Sequence, residues 1–87
     1  MEAPEISRVT PQLPSDLLLE YDDGSVRRFS CAPYLDRGIF DRLKEPSLFI
    51  QAHVAHGTVC WPGGLDIAPE TLFLRSVPAS NREPVSN

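Results

Sequence analysis

The clearest pattern along the chain is the alternation from Asp16 to Tyr21. Leu17, Leu19 and Tyr21 fall at every second position, with Glu20 on the opposite side. A period of two places these apolar residues on one face of a β-strand. A second β-like run, Ser25 to Cys31, follows Asp22-Asp23-Gly24, and Asp-Gly between two such runs signals a hairpin. Two registers compete. A two-residue Asp23-Gly24 loop pairs Tyr21 with Val26 but sets Leu19 opposite Arg28. A three-residue loop with Gly24 left-handed sets Leu17 opposite Phe29 and gathers Leu17, Leu19, Tyr21, Phe29 and Cys31 on one face. The second is preferred, because a one-residue slip would turn that face toward water.

Upstream, Ile6-Ser7-Arg8-Val9 reads as a short strand, and Gln12 to Ser15 as a turn between Pro11 and Pro14. Downstream the period changes. Ala32-Pro33-Tyr34-Leu35 starts a helical turn, with Pro33 suited to the first helical position, and Gly38 breaks it. Ile39, Phe40 and Leu43 fall at i, i+1 and i+4, one face of a helix. Pro46 to Phe49 reads as a further helical turn. Ile50 to Val54 alternates again as a strand. His56-Gly57 is a turn, and Thr58 to Trp61 is the returning strand, rich in the β-branched and aromatic residues that strands favour.

After Pro62-Gly63-Gly64, Asp66 is positioned to cap a helix that begins near Pro69, with Glu70 in its first turn. Ile67, Leu72 and Phe73 would face the core. Gly24, Gly64, Asp66 and Pro69 are therefore read as structural. The expectation is an α+β domain over residues 1–77: a small antiparallel sheet from two hairpins plus an N-terminal strand, with short helices between and after them. Residues 78–87 lack periodicity and read as a disordered tail.

Composition narrows the classes of function. The chain has 87 residues, a net charge of −4 and only eight basic residues. Affinity for nucleic acid comes mainly from neutralising phosphates with Lys and Arg, so direct binding to it is disfavoured. An acidic protein of this size more naturally meets a basic partner. No apolar run approaches the ~20 residues of a membrane span, and no secretory leader is evident. A reducing cytoplasm is the expected setting, with Cys31 and Cys60 as free thiols.

Candidate chemistry is sparse. His53, His56 and Cys60 resemble a ligand series. A zinc site needs three or four convergent ligands, though, and strand parity sends His53 and His56 to opposite faces unless the turn bends them together. A Cys–His nucleophile pair would need an oxyanion donor pair, and no motif supplies one. Gly63-Gly64 lacks the length and the Lys of a phosphate-binding loop. No catalytic residue, metal or cofactor is therefore expected. The residues best placed for contact with a partner are Trp61, Pro62, Gly63 and Leu65, with Arg27 and Arg28 on the first hairpin.

The chain resembles the small bacterial domain-of-unknown-function family 2442. The matching features, in order, are Val9 and Pro11, Leu17 to Gly24, and Arg27 to Pro33. They continue with Gly38 to Leu43, Pro46 to Phe49, and Gly57 to Leu72 with its Trp-Pro-x-Gly-x-Asp segment. Gly63 stands where the family commonly has Asn, and Ser30 where it often has Asp. The resemblance implies no particular activity. Some members are similar to the antitoxin-like half of two-gene modules. Others carry an added helix-turn-helix domain, which nothing after residue 75 could form here. The expectation is a noncatalytic protein–protein interaction domain with a protein partner, encoded by a neighbouring gene in the paired-module reading, or a second copy of itself. The alternatives are a regulator associated with nucleic acid through a partner, and a small metal protein or enzyme.

Overall fold

The computed structural model describes residues 4–79. Three strands form an antiparallel meander: β1 (Ile6–Gln12), β2 (Asp16–Tyr21) and β3 (Val26–Ser30). Leu17 pairs with Phe29 and Leu19 with Arg27, which is the three-residue-loop register. Gly24 has φ +88°, a conformation that costs a side-chain-bearing residue ~1–2 kcal/mol. The loop is closed by the Tyr21 N–H donating to the Ser25 carbonyl at 2.9 Å. The Asp23 carboxylate accepts from both the N–H and the hydroxyl of Ser25, and these bonds hold it below the usual carboxylate range.

The middle of the chain is a series of short helices, as expected, but with a different period. A 3-10 turn at Ala32–Tyr34 is followed by a 3-10 helix at Gly38–Lys44, then α1 (Pro46–Phe49). A 3-10 helix has three residues per turn, so side chains sort into three edges. Phe40 and Leu43 form the core edge, and Leu43 is buried. Gly38, Asp41 and Lys44 form a charged edge, where Lys44 pairs with Asp41 at 3.1 Å and Asp36 at 2.7 Å. Ile39 and Arg42 form the third. Ile39 therefore does not join Phe40 and Leu43 as an α-helical period would have it, and it is 58% exposed.

The second hairpin is shorter than expected. β4 covers His53–Ala55 only, because the chain leaves α1 through Ile50 and Gln51, and Ile50 is exposed. His56 and Gly57 both have positive φ (52° and 77°), as a two-residue type I′ turn requires. β5 (Thr58–Trp61) pairs with β4 on one side and with β6 (Leu65–Ile67) on the other.

Here Asp66 departs from its expected role. It lies within β6, opposite Cys60, and the residue preceding α2 (Pro69–Leu74) is Ala68, which makes no side-chain cap. Leu65 and Ile67 flank Asp66 on the opposite face, so the alternation there is that of a strand. Pro69 does occupy the start of α2.

The α+β class holds, with the two hairpins in separate antiparallel sheets. One has the order β1-β2-β3-β7 and the other β4-β5-β6. β7 (Val77–Ala79) pairs with β3, so regular structure continues past residue 77, where the tail was expected to begin. Pro78 is tolerated because β7 is an edge strand. Residues 80–87 of the expected tail lie outside the described residues. The inner faces of both sheets meet in one core, where Leu17, Leu19, Phe29, Phe49, Val59, Trp61, Leu65 and Leu72 are the main buried side chains. Each such side chain contributes roughly 1.5–3 kcal/mol by leaving water.

Candidate interaction surface

The turn that closes β5 onto β6 carries four of the six residues expected to meet a partner, and the structure divides them. Trp61 is 2% exposed. Its indole N–H donates to the Phe49 carbonyl at 3.0 Å, and its ring lies 6.0 Å from that of Phe49. Leu65, its partner across the ladder, is 1% exposed. Both are core residues and neither is a contact residue. Strand parity is the reason: Trp61 shares the inward face with Val59, and the antiparallel register places Leu65 beside Trp61.

Pro62 and Gly63, by contrast, are exposed at the tip. Gly63 and Gly64 have φ of +94° and +84°, so the turn depends on both glycines. A Cβ on Gly63 would lie 2.9 Å from Nη2 of Arg42. The Arg42 guanidinium thus rests directly against the Gly63 backbone. Ile39 lies one 3-10 turn before Arg42 on the same edge. The exposed surface is therefore Pro62, Gly63, Arg42 and Ile39, assembled from a glycine turn and a helix edge over a buried Trp–Phe contact. Neither Arg42 nor Ile39 stood out in the sequence as a contact residue.

A family model described as a protein of unknown function (DUF2442) matches residues 6–78. The chain belongs to this family. The match spans both sheets and all the helices of the DUF2442 domain. No curated protein and no solved structure matches the chain.

The two hairpin arginines of the DUF2442 domain are largely committed to packing. Arg27 points inward from β3. Its Nε donates to the Ser76 hydroxyl at 2.6 Å, its Nη2 donates to the Ser76 carbonyl at 2.9 Å, and its guanidinium sits 4.7 Å from the Phe73 ring centre. It braces the end of α2 against the first sheet and is not a free contact residue. Arg28 lies on the outer face, between Leu18 and Val77 in the ladder, half-buried and with its Nε out of water.

His53, His56, Cys60 and Asp66 line one open depression of about 270 Å³. His53 and Asp66 flank Cys60 in the ladder. Among the described residues, no three His, Cys, Asp or Glu side chains come together to hold a metal ion. The Cys60 thiol contacts the Ala55 carbonyl at 3.6 Å, and burial together with the Asp66 charge pushes its pKa up. Cys31 is buried more deeply, and desolvation, helped by the Asp16 charge, raises its pKa to about 12. Both environments favour the neutral thiol, the opposite of what activates a cysteine nucleophile. Both cysteines are unpaired, and no helix among the described residues is long and apolar enough to cross a membrane.

Proposed function

We propose that this domain is a noncatalytic protein–protein interaction module that acts as the antitoxin-like or regulatory member of a two-protein pair in a reducing cytoplasm. The observation that supports it most is the turn-and-edge surface of Ile39, Arg42, Pro62 and Gly63. It offers exposed apolar area beside a guanidinium, on a turn held from beneath by Trp61. Arginine and rigid backbone are the features that interfaces use. The acidity of the chain and its two free thiols fit the same reading. The module would act by occlusion, covering a partner's working site.

The test is affinity capture from native cells with the wild-type domain and with Arg42→Glu. A stoichiometric partner retained by the first and lost with the second supports the reading. No partner with either, or equal recovery with both, overturns it. Circular dichroism of both proteins establishes that each is folded.

A further inference from the structure

Asp23-Gly24 is the one place in the chain where an Asp or Asn precedes a glycine. With no Cβ on the following residue, its main-chain nitrogen can approach the preceding side-chain carboxyl, which is how aspartate isomerises. The Gly24 nitrogen attacks Asp23 Cγ, a C–N bond forms, and a C–O bond breaks as water leaves. The resulting succinimide takes water back at either carbonyl. One outcome restores Asp, and the other routes the main chain through Cβ as isoaspartate. No oxidant or further reactant is needed.

The fold keeps both reacting groups occupied. The Gly24 N–H donates to the Tyr21 carbonyl at 3.0 Å. The Asp23 Oδ1 accepts from the Ser25 N–H at 2.9 Å and from its hydroxyl at 2.6 Å. Bonds of this kind favour the ionised carboxylate, whereas ring closure expels water most readily from the neutral acid. The base of the turn is also tied down. The Asp22 N–H donates to the Glu5 carbonyl at 2.8 Å, and the Asp22 carboxylate accepts from the Glu5 N–H at 3.2 Å. Asp23 itself is exposed, so these bonds and not burial restrain it.

We propose that Asp23 is an isomerisation site held closed by the Ser25 hydroxyl, and that it reacts when the β2–β3 turn opens. Local openings cost less than global unfolding, so the rate of isomerisation reports how often this turn opens. The product is not neutral to the fold. One extra main-chain atom enters the three-residue loop that sets Leu17 opposite Phe29. The hairpin then closes in that register only with strain, and a slipped register turns the apolar face of β2 toward water. Isomerisation thus converts a transient opening into a lasting loss of stability. The proposal is independent of the partner-binding reading.

The experiment is a timed incubation of the intact chain at 37 °C and pH 7.4, beside Ser25→Ala, Ser25→Thr and the free peptide of residues 20–27. Peptide mapping by mass spectrometry, with enzymatic methylation of isoaspartate as a second readout, follows the product at residue 23. Circular dichroism establishes that each protein is folded. The free peptide should isomerise at least tenfold faster than the intact chain. Ser25→Ala should react about threefold faster than wild type. Ser25→Thr, which keeps the hydroxyl, should stay near the wild-type rate. Urea below the unfolding transition should move the wild-type rate toward that of the peptide. The isomerised protein, once separated, should have a lower urea midpoint. Equal rates for peptide and intact chain, or for Ser25→Ala and wild type, overturn the proposal. If Ser25→Ala does not fold, the peptide comparison and the urea dependence decide; a wild-type rate that ignores urea sinks the role of turn opening. An unchanged midpoint for the isomerised protein refutes the loss of stability.

Discussion

Trp61→Phe distinguishes a core tryptophan from a contact tryptophan. The substitution removes the 3.0 Å bond to the Phe49 carbonyl, in a region with no water access. That carbonyl keeps its 3.3 Å bond from the Ala52 N–H, so losing the indole donor costs about 0.5–1.5 kcal/mol. Trimming indole to phenyl also leaves a void under the Pro62-Gly63 turn. On the scale of core truncations this adds roughly 1–2 kcal/mol, well short of a full truncation to Ala. The expected loss is therefore about 1.5–3.5 kcal/mol, against a total stability of about 4–13 kcal/mol for a chain of this length. For a domain this small that lowers Tm by ~10–25 °C. Trp61 is the only tryptophan, so its fluorescence disappears with it. Urea unfolding should therefore be followed by far-UV circular dichroism in both proteins. A change below ~1 kcal/mol with an unaltered m-value would refute the packing argument. Loss of partner capture at unchanged stability would return Trp61 to the surface.

Three further outcomes are expected. Gly63→Ala should cost about 1–2 kcal/mol because of its positive φ. In an Arg42→Ala background the cost should change by less than ~0.5 kcal/mol, since the guanidinium tip can swing aside; a larger coupling in denaturant titrations would mean that Arg42 is locked on the turn. Arg27→Gln should destabilise by about 1–3 kcal/mol through loss of both bonds to Ser76, and Arg27→Lys should recover little, because an ammonium lacks the fork. An Arg27→Gln protein as stable as wild type would show that Ser76 finds other partners. Cys31 has its pKa raised from an ordinary 9.0 to about 12 in the folded chain. Its contribution to stability is thus complete below about pH 9 and is lost as the pH climbs toward 12, because the unfolded thiol ionises first. Tyr21, whose pKa burial also raises, adds to the same alkaline loss, so the measurement is the difference between wild type and Cys31→Ala. Parallel declines in their urea midpoints from pH 8 to 10.5 would contradict it.

The readable parts of the fold were those where a single period ran for several residues. Leu17, Leu19 and Tyr21 announce β2, and only one loop length keeps Phe29 on their side, so the register followed from burial. The same alternation at Val59 and Trp61 already carried the inward orientation of Trp61, which the enrichment of tryptophan at interfaces obscured. Over the seven residues of Gly38–Lys44 a period of 3.0 and one of 3.6 diverge by about one position. That single position is where Ile39 changes sides. β6 and β7 have three residues each, too few to show alternation, and both exist because a longer neighbour offers a free edge. Asp66 is of a residue type that favours caps, but it stands three positions before Pro69, and the pairing of Leu65 with Trp61 draws it into a strand. Arg42 escaped notice because its contact is with backbone more than twenty positions away in the chain, and no local spacing encodes that.

The 3-10 helix at Gly38–Lys44 has a consequence for which lengths its relatives can tolerate. Its three edges serve three different surroundings: the hydrophobic interior, a lysine with two acids, and the glycine turn. Membership of an edge is set by sequence position modulo three. Losing or gaining one residue within the segment would permute all three assignments downstream at once, sending Leu43 toward water and a charge into the interior. An α-helix absorbs such a change by a rotation of about 100°, onto a stripe that still grades from apolar to polar. Here the permutation has no intermediate. Length variation within this segment should therefore come in multiples of three, and the loops on either side should carry the rest.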